Sequence, residues 1–287
     1  MSRLSDIERE QYAVATMVEL SSVFEGIASM KIARIKNQVL QSTEFFHDLW
    51  DIYTQLRVDS LFRFGRIEND KNIIDKKLYI VITAEGGFSG DIDQKLISWM
   101  LKTYEPAKND IIVIGHHGAI QLAQRGISFK KYFKLPQKDH DINVAPVIKY
   151  VTQYKNTTVY YQEYVSLMVQ DIKRIDLSTA VADIGNKADG SDDTINEANY
   201  IFEPSPFAVV SHLERSMLHI AVSQLILDSK LAQYASRFQA MSASHQAADD
   251  ILGKITLKYS KTKRSMKDER LKEIINGLKQ AKKTEAR

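Results

Sequence analysis

The chain has no cysteine. That excludes disulfides, zinc–thiolate sites and thiol catalysis. Only five prolines are present, and all lie between Pro106 and Pro206. Glycine is scarce at both ends. Gly26 is the only breaker before residue 60, and Gly253 and Gly277 are the only ones after Pro206. No uninterrupted run approaches the roughly 18 apolar residues that a membrane span needs. No serine elbow, HExxH or paired-carboxylate constellation stands out. The sequence therefore predicts no catalytic, cofactor-binding or metal-ligating residue of its own.

What is present begins with ordinary bulk. Of 287 residues, 44% are hydrophobic and 26% charged, the composition of a folded chain of one or two domains. A net charge of +3 conceals an asymmetry. From Lys254 to Arg287 twelve basic residues stand against four acidic ones, Asp268, Glu269, Glu273 and Glu285. A basic C-terminal segment thus follows a mildly acidic body. Such a segment suits a solvated helix face, an acidic protein partner or nucleic acid. The opening Met1-Ser2-Arg3-Leu4 gives way at once to acidic residues. It resembles neither a signal peptide nor a transit peptide, and a bacterial cytoplasmic setting is expected.

The two breaker-poor ends read as long helices. Ser5-Asp6-Ile7-Glu8 has capping-box spacing. Met17, Leu20, Phe24, Ile27 and Met30 then recur in steps of three and four, predicting one buried helical face. The pattern continues through Phe45, Leu49, Ile52 and Leu56. Unbroken, such a helix would extend about 75 Å. At the other end Leu231, Tyr234, Phe238, Met241, His245, Ala248, Leu252, Ile255 and Tyr259 keep a heptad seam. Long helices cannot bury their seams alone, and the simplest partner for each is the other. His245 reads as a packing or register residue. Ala243, Ala247 and Ala248 permit close approach.

The middle alternates. Lys77–Thr83 and Asp110–Gly115 read as buried strands, with helices at 92–104 and near 119–125. A helix at Val144–Tyr154 and strands at Thr157–Tyr161 and Val165–Ile175 follow. This order predicts a parallel α/β sheet. Gly185–Glu197 reads as a loop. The turn Ala84-Glu85-Gly86-Gly87-Phe88-Ser89-Gly90 sits where phosphate loops occur. It lacks their Lys-Ser/Thr ending, and Glu85 and Asp91 would repel phosphate. It is expected to serve tight helix–strand packing. His116 and His117, taken as neighbours on one strand, would face opposite ways and share no metal.

Four segments carry a family resemblance, in family order. Ile27-Ala28-Ser29-Met30-Lys31-Ile32-Ala33-Arg34 resembles the N-terminal helix motif of the gamma subunit of F-type ATP synthases. Ile82–Asp93 resembles that family's I-T-S-D-R-G-L-C-G-G-L-N. Tyr200-Ile201-Phe202-Glu203-Pro204-Ser205-Pro206 matches its YxxEPSP. Leu227-Asp228-Ser229, with Ala235-Ser236-Arg237-Phe238-Gln239-Ala240-Met241, resembles its last-helix motif.

The resemblance implies an antiparallel N- and C-terminal helical coiled coil (1–60 and 206–287) around an inserted Rossmann-like parallel α/β domain (70–199). It further implies a central-stalk rotor inside a hexamer of alpha and beta subunits, coupling transmembrane proton or other ion flow to ATP synthesis or hydrolysis. The epsilon subunit and the membrane c-ring would be further partners, with no nucleic acid and no cofactor. Membrane association would come only through the complex, on the cytoplasmic face of a bacterial plasma membrane. Lys31, Arg34, Lys258, Lys261, Lys263, Arg264 and Lys267 would meet an acidic loop of the beta subunits.

Several stretches depart from the family. Its central Asp-Arg is Glu85-Gly86 here, and the acid of its L-E-S is Asp228. Its later Ser-Glu is Ala232-Gln233, and its Ala-Met-Lys-Met before the first motif is Val23-Phe24-Glu25-Gly26. Where the family has R-Q-x-x-I-T, this chain has Lys263-Arg264-Ser265-Met266-Lys267-Asp268. A gamma paralogue in a specialised ATP-driven motor, or a basic coiled-coil scaffold that binds nucleic acid, are the alternatives left open.

Overall fold

A computed structural model describes residues 2–56, 73–136, 142–178, 180–181, 203 and 205–285. The expected loop at 185–197 lies outside them. Two helices dominate: α1 (Ser2–Leu56) and α5 (Pro206–Glu285). Helix α5 starts on a capped turn. Ser205 Oγ accepts from the Ala208 N–H at 3.2 Å, and Pro206 fills the first helical position, where its missing N–H costs nothing. The chain divides into two compact units, Met1–Gly26 with Ala240–Arg287, and Ile27–Gln239.

The first unit is an antiparallel helix pair. Gln11 Nε2 donates to Thr256 Oγ1 at 3.0 Å, and Tyr259 donates to Glu8 Oε1 at 2.8 Å. His245 stands 3.9 Å from Glu25. Residue numbers thus fall on one helix as they rise on the other. The seam on α5 is the one the heptads predict: Met241, Ala248 and Ile255 are buried, with His245, Leu252 and Tyr259 half-buried between them.

The seam on α1 is not the predicted one. Ile7 and Ser21 are buried, flanked by half-buried Gln11, Val14 and Val18. Met17, Leu20 and Val23 face outward, 60%, 52% and 57% exposed. Ile27 and Met30, farther along α1, are exposed as well. Helical periodicity locates apolar stripes. Here the segment carries two, and one antiparallel partner covers only one.

The second unit is built on a five-stranded sheet of order β3-β2-β1-β4-β5. Its strands are β1 (Ile74–Ile82), β2 (Asn109–Ile114), β3 (Lys131–Phe133), β4 (Tyr154–Tyr164) and β5 (Gln170–Asp176). The first four are parallel, as expected, with Ile80 opposite both Ile112 and Val159. Strand β5 runs antiparallel to β4. The residues between them, 165–169, are too few for a crossover and make a hairpin instead.

Alternation sorts the strand side chains to two faces. Leu78, Ile80, Ile82, Ile112, Ile114 and Val159 pack on Val147 and Ile148 of α4 (Ala145–Val151) and on Leu218, Val222 and Leu225 of α5. Tyr79, Val81, Ile111, Val113 and Tyr160 pack on Leu96, Ile97 and Met100 of α2 (Ile92–Leu101) and Leu122 of α3 (His116–Gln124). Both faces are covered, which is why β1 and β2 read as continuous apolar runs.

The remainder of α1 belongs to this unit and packs antiparallel on α5. Ile35 joins Leu227 and Leu231. Farther along, Phe46, Trp50 and Tyr53 enclose Met217 and Ala221, and the Tyr53 hydroxyl donates to Glu214 at 3.1 Å.

Candidate coupling surfaces

In doubly wound sheets, ligands bind beyond the carboxyl ends of the strands, where the strand order reverses. Here that point lies between β1 and β4, and the glycine turn 84–90 leads away from it. Side chains of the chain itself bind this turn. Arg237 of α5 donates from Nε to the Gly87 carbonyl at 3.0 Å and from a terminal nitrogen to the Gly86 carbonyl at 3.2 Å. Ser236 Oγ donates to the Ser89 carbonyl at 2.7 Å. These carbonyls are the groups a helix can clasp without bringing a competing anion. The turn is a seat for α5.

Beneath it runs a buried polar relay. Asp93, 2% exposed in the first turn of α2, accepts from the Ala84 N–H at 3.2 and 3.3 Å. It also accepts from Gln162 Nε2 of β4 at 2.7 Å. Gln162 Oε1 in turn accepts from Ser229 Oγ and from Gln233 Nε2 of α5. Buried polar groups are tolerated only when bonded in this way. Sequence reasoning missed Asp93, Gln162 and Gln233. Gln162 was the available signal, a polar residue directly after the apolar strand run Val159-Tyr160-Tyr161.

The two histidines sit elsewhere than expected. They open α3 and do not lie on a strand, because Gly115 turns the chain with φ +103°. A side chain there would meet the Thr83 carbonyl oxygen at 2.0 Å. His117 Nδ1 lies 3.1 Å from Asp93 Oδ2. That bond raises its pKa above the ordinary 6.5, with burial and Arg237 opposing. The His116 ring meets Tyr132 edge-on, and the backbone N–H of His116 donates to Glu85 at 3.2 Å. Glu85 also takes hydrogen bonds from the Tyr132 hydroxyl and the Leu135 N–H. The acid that would repel phosphate is a strut within the fold. Among the described residues no three acids or histidines gather as metal ligands.

The predicted contact residues divide by location. Lys258, Lys261, Lys263, Arg264 and Lys267 are all exposed on α5. At about 100° per residue they fan around the outside of the helix, on both flanks of the seam. Lys263 also lies over the Tyr259 ring, 5.3 Å from its centroid. Lys31, half-buried, and Arg34, exposed, are on α1 within the Ile27–Gln239 unit. Met17 and Leu20, expected on the buried seam, are exposed, and together with Val23 they form a second outward surface. Within Leu4–Tyr53 one 18-residue window reaches a mean hydropathy of 1.2, with 11% of it buried. Contiguous outward apolar stripes are a feature of protein or membrane interaction surfaces.

The family model described as ATP synthase matches residues 3–280. The chain belongs to the ATP synthase gamma-chain family. Members of this family that it resembles include the ATP synthase gamma chain of Chlorobium phaeobacteroides, 22% identical over 96% of this chain and 98% of that one. The gamma chain of Rickettsia bellii is 25% identical over 96% and 99%. That of Mycoplasmoides gallisepticum is 23% identical, also over 96% and 99%.

Solved structures agree in fold. One is a chain of the Euglena gracilis mitochondrial ATP synthase, solved with OSCP, F1 and c-ring in rotational state 3. It superposes with a TM-score of 0.64 at 15% identity, covering 96% of this chain and 94% of that one. A chain from the central stalk and c-ring of Tetrahymena thermophila gives 0.57 at 14%, covering 78% and 98%. The gamma-chain fold thus persists at low identity.

Proposed function

We propose that this chain is the central-stalk subunit of a rotary F-type ATP synthase, turning within a hexamer of alpha and beta subunits. In this reading ion flow through a membrane c-ring drives rotation, and the hexamer converts it to ATP synthesis or runs it backwards by hydrolysis. The match of a gamma-chain family model over residues 3–280 carries the reading. The outward surfaces of the helix pair support it. A rotor must present faces that bias a partner's discrete states while carrying no chemistry itself.

The shaft comprises 1–60 and 206–287, and the insert 70–199 works at the foot, toward the epsilon subunit and the c-ring. Lys258, Lys261, Lys263, Arg264 and Lys267, with Lys31 and Arg34, meet an acidic loop of the beta subunits. Exposed lysines suit a contact that must slide, because their attraction is long-ranged and weakly directional. The complex places the chain peripherally at a membrane, on the cytoplasmic face of a bacterial cell.

Co-purification of the full-length chain with tagged alpha and beta subunits tests the assignment. ATPase activity in the purified complex, and ATP-driven rotation of a bead fixed to this chain, are the expected outcomes. A chain that never enters a nucleotide-binding hexamer overturns it.

A further inference from the structure

Four elements meet at Asp93. It lies in the first turn of α2, binds the backbone of the glycine turn, pairs with His117 of α3, and reaches α5 through Gln162 of β4. The family motif matched by Ile82–Asp93 ends in asparagine, whose single amide oxygen could still accept from the Ala84 N–H and Gln162 Nε2. The carboxylate here adds a charge at a position 2% exposed. A buried charge requires a partner. Among the described contacts of Asp93, only His117 can carry the opposite sign.

We propose that Asp93 is the hub of a proton-gated clamp that fastens the glycine turn, and with it the sheet, to α5. With His117 protonated, its imidazolium neutralises Asp93 and locks the carboxylate toward Ala84 and Gln162. Gln162 is then held with its amide oxygen facing Ser229 and Gln233. When His117 loses its proton to solvent, Asp93 remains a buried charge held by neutral donors alone, and the clamp loosens.

Other charges face this site. Arg237 from α5 opposes protonation of His117 but is tied to the Gly86 and Gly87 carbonyls. Glu85, from the turn, is occupied by the His116 N–H, the Leu135 N–H and the Tyr132 hydroxyl. The groups of β4 and α5 bonded to this site are the neutral Gln162, Ser229 and Gln233, while the buried Lys230 beside Ser229 donates to the Pro136 carbonyl. The sign follows from linkage. His117 is raised above 6.5, so its contribution is complete below that pH and is lost as pH rises through the folded-state value.

The clamp is a property of the folded chain. Only its meaning as a joint that carries torque between insert and shaft rests on the rotor reading. The test therefore uses the full-length chain alone, so failure to assemble with a hexamer and failure of the clamp are separate results. Hydrogen exchange at the Ala84 N–H is compared with that at Ile112 between pH 6 and 9, and His117 is titrated by NMR. In the unaltered chain the relative protection of Ala84 should fall as pH rises, by about tenfold for each unit by which Asp93 raises the His117 pKa. Asp93→Asn keeps the acceptor and should hold protection constant while lowering the His117 titration midpoint. His117→Gln should also flatten the profile. A flat profile in the unaltered chain, or an identical slope and His117 midpoint in Asp93→Asn, overturns the clamp.

Discussion

The hydroxyl of Tyr259 donates to Glu8 Oε1 at 2.8 Å across 251 residues of sequence. It fixes the register of the antiparallel pair near its exposed end. Tyr259→Phe removes the bond and keeps the ring, with Lys263 still over it. A bond this exposed contributes at most about 1 kcal/mol. Urea denaturation of the full-length chain should show a loss of that size or smaller, with an unchanged slope.

Two glycine substitutions should act in opposite directions. A Cβ at Gly118 would sit 2.6 Å from Thr83 Oγ1 and 2.9 Å from both Thr83 Cγ2 and Val113 Cγ1. Thr83 and Val113 are fully buried and cannot retreat. Gly118→Ala should therefore cost about 1–3 kcal/mol. At Gly253, inside α5, a Cβ meets nothing within 4 Å. Gly253→Ala should stabilise by about 0.5–1 kcal/mol, because alanine loses less backbone freedom on entering a helix. Paired thermal melts check both signs.

Stability should also depend on pH through His219. Burial lowers its pKa below 6.5, so the unfolded chain takes up the proton first. Folding stability attributable to this residue is intact above 6.5 and falls as pH drops toward the folded-state value. His219→Gln should flatten that part of the acid limb, read as the difference between the two stability curves from pH 7 to 5. The slope from His117 lies on the other side of 6.5 and should remain.

The basic fan predicts a salt-dependent contact. Replacing Lys258, Lys261 and Lys267 by glutamine should leave the fold within about 0.5 kcal/mol of its original stability. Association with an alpha–beta hexamer should slow, chiefly at low ionic strength, since charge complementarity acts mainly on encounter rates. Stopped-flow association at two salt concentrations measures it. Equal slowing at both would point to lost packing.

The outward stripe predicts the complement. Met17, Leu20 and Val23 each replaced by glutamine should leave thermal stability nearly unchanged, because these side chains are already exposed. Assembly with the hexamer should weaken with little salt dependence, as expected for apolar burial. A large drop in the melting temperature of the lone chain would place the stripe inside the fold.

Much of this molecule was legible in its sequence. The α5 seam from Met241 to Tyr259 could be read because each residue needs only its own helix to define its direction. The strands at Lys77–Thr83 and Asp110–Gly115 could be read because burial on both faces leaves an unbroken apolar run. The ordered motifs, Ser205-Pro206 among them, pointed to the family. The side of α1 that faces its partner was decided only in three dimensions. Met17 and Leu20 are as apolar as any seam residue, but burial is a relation between two surfaces, and a single helix states only one of them. The seat of α5 was likewise hidden. Asp93, Gln162, Ser229 and Arg237 are separated in sequence and ordinary in type, and only the fold brings their donors and acceptors within bonding distance.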